Sequence, residues 1–142
     1  MATLQSTDIT LRTPIPGFGA GGGQVRRQLA TVTIPAATAT TDVIQFFNLP
    51  PNSVVIDGWL KADDLDTGTT VTINVGDSGD VDRYFAASTV AQAGGVVRMT
   101  VATGFNVTNV YKTLVTGALA AGPSTTAGTL TLCLYYTCEE PA

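Results

Sequence analysis

The chain of 142 residues and 14.6 kDa is long enough for one domain with a hydrophobic core. Its net charge of −4 and pI near 4.4 argue against a nucleic-acid-binding protein, which needs a basic surface to neutralise phosphates. Charged residues make up only 13%, about half the usual share, and no stretch approaches the roughly 18 apolar residues of a membrane span.

Residues 1–27 are predicted to form an extended N-terminal arm, followed by a β-sandwich domain over residues 28–142. Prolines at 14 and 16 favour extended backbone, and the glycine-rich run at 17–23 opposes regular structure. A solvated tail is the alternative, but it would need few apolar residues. Arginines there can pair with acidic groups of a partner. The residues assigned to partner binding by the arm are Ile9, Leu11, Arg12, Ile15, Phe18, Arg26 and Arg27.

The rest of the chain divides into short β-strand patterns at Gly, Pro and Asn turns. About eight short strands at even spacing predict an all-β protein, an antiparallel β-sandwich of jelly-roll type. The segment 106–116 is read as two strands or one bulged strand, and 117–128 as a small-residue loop. The other predicted strands are 28–34, 42–48, 53–62, 69–75, 83–87, 96–101 and 129–137.

Strict alternation predicts which side chains face the core. In 53–62 it places Val54, Ile56 and Leu60 on one face. The strands at 42–48 and 110–115 are apolar on both faces, whereas a sandwich buries only one face of each strand. We therefore expect the arm, a loop or another subunit to cover the second face. A closed homo-oligomer is the simplest source of that cover.

The two cysteines are predicted to be buried free thiols. Cys133 and Cys138 lie five residues apart in one strand, so they face opposite sides and cannot bridge each other. The N-terminal sequence lacks the pattern of a signal peptide, which leads us to expect synthesis and use in a host cytoplasm or in a particle assembled there. The chain has no histidine and no CxxC pair, which argues against a metal site.

The loop after residue 75 concentrates Asp77, Asp80 and Asp82 and has two interpretations. Clustered carboxylates suit Ca²⁺, although the spacing is not that of an EF-hand. Aspartate and glycine are also turn-forming residues, because the carboxylate accepts hydrogen bonds from nearby backbone N–H groups. We favour the structured turn, with no metal and no cofactor. The same interpretation applies to the second acidic turn, formed by Asp63, Asp64 and Asp66.

No residue set predicts an enzyme. Without histidine, neither a Ser-His-Asp triad nor a Cys-His pair is possible. Glu139 and Glu140 lie in the C-terminal tail, and the aspartates lie in turns, so no acid–base pair stands out. Aromatic side chains offer either a sugar-binding platform or ordinary core and subunit packing, and we favour packing. These aromatic residues are Trp59, Tyr84, Phe85, Tyr111, Tyr135 and Tyr136.

One region resembles a known family. A proline turn at Pro50-Pro51 precedes the strand pattern ending at Leu60, and the strand 71–75 runs into the Gly-Asp-rich loop 76–83 before Tyr84 and Phe85. This arrangement resembles small structural proteins of tailed bacteriophages. The resemblance implies a jelly-roll-like sandwich, no catalytic residues, and a role as a capsid decoration (cement) protein, a head fibre or a neck part, often as a trimer.

Two classes of function therefore remain. The first is a non-enzymatic decoration protein on the virion capsid surface. It would bind and stabilise the assembled head as a homotrimer, with the major capsid protein or other virion subunits as partners and without nucleic acid or membrane. A neck or tail component with the same fold is a variant of it. The second is a carbohydrate- or receptor-binding sandwich that uses exposed aromatic side chains, with or without Ca²⁺ at Asp77, Asp80 and Asp82.

Overall fold

The computed structural model describes residues 1–6 and 24–138, and the regular secondary structure of these residues is almost entirely β-strand. Two short 3-10 turns, Val90–Gln92 and Ala102–Gly104, interrupt the strands. No helix in these ranges is long and apolar enough to cross a membrane. The strands are β1 (Thr3–Gln5), β2 (Arg26–Ile34), β3 (Val43–Leu49), β4 (Ser53–Ala62), β5 (Thr72–Gly76), β6 (Phe85–Ser88), β7 (Gly95–Arg98), β8 (Val107–Asn109), β9 (Thr113–Ala121) and β10 (Gly128–Cys138).

The strands form two sheets that pack face to face as a jelly-roll sandwich, which confirms the predicted fold class. One sheet has the order β1-β3-β9-β5-β6, and the other has the order β2-β10-β4-β7, with β8 also on β4. Strands from the first half of the chain pair antiparallel with strands from the second half in reverse order: β2 with β10, β3 with β9, β4 with β7 and β5 with β6. The chain is thus one long hairpin rolled into a sandwich.

The N-terminal residues add one more strand to the first sheet. β1 lies parallel to β3, with Leu4 opposite Ile44. The backbone N–H of Ala2 donates to Asp42 Oδ1 at 2.8 Å, and the Ser6 hydroxyl donates to the carbonyl of Phe46. The sequence did not predict this strand, because three residues are too few for a recognisable alternation.

The core lies between the two sheets and takes alternate residues from each strand. The last strand follows the prediction, because Leu130, Leu132, Leu134 and Tyr136 are all buried. Cys138 belongs to the same core, whereas Cys133 is buried on the opposite face of β10. Both thiols are free, as predicted, and burial raises the pKa of each.

A β-bulge in β3 changes the interpretation of its two-faced apolar pattern. The pairing with β9 shifts between Gln45 and Phe47, so Phe46 is an extra residue in the ladder. The bulge turns both Phe46 and Phe47 towards the core, and neither is exposed. The prediction that Phe47 needs cover from an arm or a second subunit is therefore wrong, because the bulge itself buries it.

A second bulge lies in β4 and corrects the predicted face of Ile56. Tyr135 pairs with Asp57 while Tyr136 pairs with Val55, which leaves Ile56 unpaired. Val55 and Leu60 therefore both face the core, although they are an odd number of residues apart. Strict alternation therefore predicts the wrong face for Ile56.

The segment 106–116 is two strands, β8 and β9, separated by an exposed loop. Tyr111 in this loop is 80% exposed, so the predicted strand 110–115 does not begin at Val110. The loop predicted at 117–128 begins only after Ala121, because β9 continues along β5 to that residue. Small residues suit this strand where it crosses the core: a Cβ on Gly117 would lie 2.8 Å from the ring of Phe46.

The acidic turn after β4 is organised by Asp66. Its Oδ2 accepts hydrogen bonds from the N–H groups of Thr70 and Val71 at 2.6 and 2.7 Å, and Oδ1 accepts from Gly68 at 2.9 Å. These bonds, with that of Val71 the strongest, lower the pKa of Asp66 from its ordinary value of 3.8. The turn carries the chain from one sheet to the other, so the carboxylate holds a corner of the sandwich.

We expect Asp66→Asn to lower the melting temperature at neutral pH, because the amide cannot accept all three bonds. A lowered pKa in the folded state means that the stabilisation is present above about pH 4 and is lost as the pH falls through the folded-state pKa. The difference in melting temperature between the two chains should therefore shrink in acid. Thermal unfolding followed by circular dichroism across this range checks it, and a difference that stays constant into acid would contradict it.

Candidate functional site

The outward face of the β2-β10-β4-β7 sheet is the most unusual surface of the described residues. Residues directly opposite one another in neighbouring strands share a face, so the pairing register gives the rows of side chains. The central row runs Leu29, Cys133, Trp59 and Arg98 across all four strands. We call this surface the Trp59 face, and its outward residues are Arg27, Leu29, Thr31, Asp57, Trp59, Lys61, Val96, Arg98, Thr131, Cys133 and Tyr135.

The centre of the Trp59 face is apolar, which is unusual for the solvent side of an antiparallel sheet. Leu29 is 38% exposed and Val96 is 64% exposed, while Trp59 and Tyr135 are half-buried. The Trp59 indole N–H points to the Tyr135 hydroxyl at 3.4 Å. Trp, Tyr and Arg are the residues that most often carry the binding energy of protein interfaces.

An ion pair holds one side of this face. Arg98 Nη2 lies 2.6 Å from Asp57 Oδ2, and Arg98 Nε lies 3.3 Å from Asp57 Oδ1. The guanidinium lowers the pKa of Asp57 and the carboxylate raises the pKa of Arg98. The Arg98 side chain is 74% exposed, so solvent screens the pair and its main effect is to orient the two groups.

The ion pair and the indole border a cavity of about 320 Å³ that opens to solvent. The lining is slightly basic, since it carries Lys61 and Arg98 against the single carboxylate of Asp57. This contrasts with the net charge of −4 for the whole chain. The cavity is lined by Asp57, Gly58, Trp59, Lys61, Val96 and Arg98.

Most residues assigned to partner binding by the arm lie outside the described residues: Ile9, Leu11, Arg12, Ile15 and Phe18. The two remaining residues, Arg26 and Arg27, belong to β2 and pair with Tyr136 and Tyr135. The sandwich therefore begins at Arg26, two residues before the predicted boundary, because the long β10 strand extends the ladder that far. Arg27 lies on the Trp59 face, whereas Arg26 shares the inward side of the strand with Ala30 and is partly exposed at its end.

In the aspartate-rich loop after β5, the Asp77 carboxylate bonds within the loop. Its Oδ1 accepts hydrogen bonds from the N–H groups of Gly79 and Asp80 at 2.9 and 3.1 Å. Its Oδ2 lies 2.8 Å from Nε of Arg83, and this pairing raises the pKa of the guanidinium. Asp80 and Asp82 lie at the exposed end of the loop. Within the described ranges, no three His, Cys, Asp or Glu side chains come together as a metal site requires.

The aromatic residues divide between the core and the surface. Tyr84, Phe85 and Tyr136 are buried in the core, so they cannot line a sugar-binding platform. Burial raises the pKa of Tyr84 to about 12. Trp59 and Tyr135 remain on the Trp59 face, and Tyr111 stands alone in an exposed loop.

Sequence reasoning did not assemble the Trp59 face, because its residues come from four distant segments. Asp57 and Arg98 are 41 positions apart in the chain, and Leu29 joins them only through the register of β10. The available signal was the alternation of the strands, which places Trp59 and Tyr135 on the side facing away from the hydrophobic core. That signal becomes useful only once the strand order is known.

The chain is a jelly-roll protein with an apolar patch on the outer face of one sheet. No protein family model and no curated protein matches the chain. A chain from the capsid of Ralstonia phage GP4 is similar, with 32% identity, a TM-score of 0.84 and coverage of 99% of this chain and 100% of that chain. A chain from the capsid asymmetric unit of cyanophage Pam1 has 36% identity and a TM-score of 0.74, with coverage of 90% of this chain and 94% of that chain.

The protein belongs to the same family as these two phage capsid chains, and it is a structural protein of a phage virion. A chain from the acid-stable capsid of Helicobacter pylori bacteriophage KHP30 shares the fold at 13% identity and a TM-score of 0.59, covering 82% of this chain and 94% of that chain. Assembly with other virion subunits or with copies of itself follows from this membership.

Proposed function

We propose that the protein is a capsid decoration (cement) protein that binds the outside of the assembled phage head and stabilises it as a homotrimer, without enzymatic activity. The observation that carries the proposal is the Trp59 face, an apolar sheet surface that nothing in the described residues covers. In a family of capsid proteins, such a surface fits a subunit whose apolar face is covered by a neighbouring subunit.

The physical basis of the stabilisation is linkage. A subunit that binds only the assembled shell adds its binding free energy to that state, about 2.7 kcal/mol per site at a concentration 100-fold above Kd. Many copies on one head multiply the effect. The acidic side chains support a structural role rather than catalysis, because Asp57, Asp66 and Asp77 all serve as local hydrogen-bond or ion-pair partners.

We expect phage heads that lack this chain to release their DNA at a lower temperature than complete heads, and added purified protein to restore the difference. Fluorescence of a DNA-binding dye during heating measures the release. Co-sedimentation of the chain with empty heads measures the binding separately. If heads without the chain are equally heat-resistant, or if the chain sediments only with isolated necks or tails, the decoration function is wrong.

The N-terminal arm is proposed to contribute to this attachment. Removing residues 1–23 should leave the sandwich folded, because β2 begins only at Arg26, and should weaken co-sedimentation with heads. Removing residues 1–6 alone is the matched control, since it deletes β1 but retains the apolar residues from Ile9 to Phe18. If both truncated chains bind heads as tightly as the intact chain, the arm has no part in attachment.

A further inference from the structure

The Trp59 face has the features of a receptor for an acidic partner. Its cavity of about 320 Å³ offers apolar surface from Trp59 and Val96, and the ammonium group of Lys61 lies at its rim. Arg98 is held by Asp57 but remains mostly exposed, so it can contact a second carboxylate without leaving the first. An apolar side chain flanked by negative charges would match both the floor and the rim.

The described residues contain such a group in the loop between β5 and β6. Asp80, Val81 and Asp82, which we call the Val81 tip, form the turn of this loop, where Asp82 is exposed and Asp80 is partly exposed. Val81 is 65% exposed, and it borders a surface cavity of about 290 Å³ together with Val43 and Leu119. The tip therefore presents an apolar side chain flanked by negative charge.

The loop holds the Val81 tip in a fixed shape. The Asp77 N–H donates to the carbonyl of Asp80 at 2.9 Å, and the carboxylate of Asp77 is anchored by Arg83. Gly76 packs directly under the loop, where an added Cβ would lie 2.1 Å from the carbonyl oxygen of Asp80. A preorganised tip loses little conformational entropy when it binds, which favours affinity.

The charges of the Val81 tip are only partly neutralised within the described part of the chain. The ion pairs found there join Arg83 to Asp77 and Arg98 to Asp57. Asp80 interacts with Arg83 through its charge without forming an ion pair, and Asp82 forms no ion pair among the described residues. A hydrogen bond with the Asp80 carboxyl group and, to a smaller extent, the charge of Asp80 raise the pKa of Asp82. A cation supplied by another molecule would favour the charged form of both carboxylates.

We propose that the Val81 tip of one copy docks on the Trp59 face of a second copy, with Val81 in the cavity and its flanking carboxylates against Lys61 and Arg98. The contact deepens the proposed function, on which it rests, by naming the surfaces that join the copies. Because the two surfaces differ, the contact is heterologous, and copies joined this way form a closed ring when the rotation between them closes. A trimer is one such ring.

The test is a charge exchange measured on the full chain in solution. Asp80→Lys with Asp82→Lys, or Lys61→Glu alone, should each raise the dissociation constant of the oligomer at least about 10-fold, because each places like charges in the contact. The chain carrying all three substitutions restores an opposite-charge contact at residue 61, although Arg98 stays cationic, and should recover part of the lost affinity. Analytical ultracentrifugation at several protein concentrations measures the oligomeric state.

Lys61 and Asp82 are exposed and Asp80 is partly exposed, so we expect the fold to survive, and circular dichroism and melting temperature check that it does. Lys112→Glu in the β8–β9 loop is the matched control for a change in net charge, and it should leave association unchanged. The proposal is overturned if the wild-type chain stays monomeric, if the single exchanges do not weaken association, or if the combined exchange is no better than its parts.

Head co-sedimentation of the same variants separates this proposal from the proposed function. One outcome is that Lys61→Glu abolishes binding to heads while the oligomer in solution is unchanged. The Trp59 face then contacts the capsid shell, so the proposed contact between copies is wrong and the decoration function stands. If the charge exchange restores the oligomer but the wild-type chain never binds heads, the self-association stands and the decoration function is wrong.

Discussion

Replacing Trp59 with alanine is expected to weaken the association of the protein with its partners by about 30-fold or more. Truncation of a central aromatic side chain in an interface typically costs 2 kcal/mol or more. Trp59 lies in the middle of an apolar row and against a cavity, where its ring offers a large contact area. Sedimentation of the oligomer and of decorated heads measures the loss.

The same substitution should lower the free energy of unfolding of the separated subunit by less than the loss of a core phenylalanine does, because the indole lies half-buried on the outer face of the sheet. Thr33→Ala, on the same sheet face but at the far end of β2, is the control and should leave association intact. Trp59→Phe should recover part of the affinity, since it restores an apolar ring without the indole N–H. Association that is unaffected by Trp59→Ala would show that this face contacts nothing.

Alanine at either Phe46 or Phe47 is expected to destabilise the folded sandwich by about 3–5 kcal/mol, the usual cost of removing a buried phenylalanine side chain. Neither residue is exposed, because the bulge in β3 turns two consecutive side chains into the core. In a regular strand one of them would face outwards, and its truncation would cost little. The two variants together therefore test the bulge.

Urea unfolding at a fixed protein concentration measures both losses of free energy of unfolding. The control is Asn48→Ala, at a half-buried position of the same strand, which should lower the free energy of unfolding by less than about 1 kcal/mol. A domain of this kind is typically stable by only 5–15 kcal/mol, so an alanine variant can unfold outright. Phe46→Leu and Phe47→Leu then give the comparison at a smaller cost. If only one position is sensitive, the bulge is wrong.

The sequence carried enough information to predict the jelly-roll sandwich, because most strands alternate and end at turn residues. The bounds of β4 were predicted as the structure has them, and the core face of β10 was correct. The errors concentrate where alternation is broken. After each of the bulges, at Phe46 and at Ile56, the following residues point to the opposite face from the one that alternation predicts. Nothing local in the sequence marks either bulge.

The candidate surface was less predictable than the fold, for a physical reason. Its apolar centre and slightly basic cavity depend on which strands are neighbours and on their register, and the pairing of β10 with both β2 and β4 brings Leu29 and Trp59 into one row. The sequence indicated interaction surfaces through low charge and spare aromatic residues. It also drew attention to the arm, and that assignment remains a prediction.

The central claim is that this virion protein decorates and stabilises the head. Cryo-electron microscopy of the intact phage particle from which the chain comes tests it most directly. We expect jelly-roll density for this chain at regular positions on the outer surface of the head, with the Trp59 face buried against a neighbouring subunit. Density for the chain in the neck or tail alone, or on the head with that face open to solvent, would contradict it.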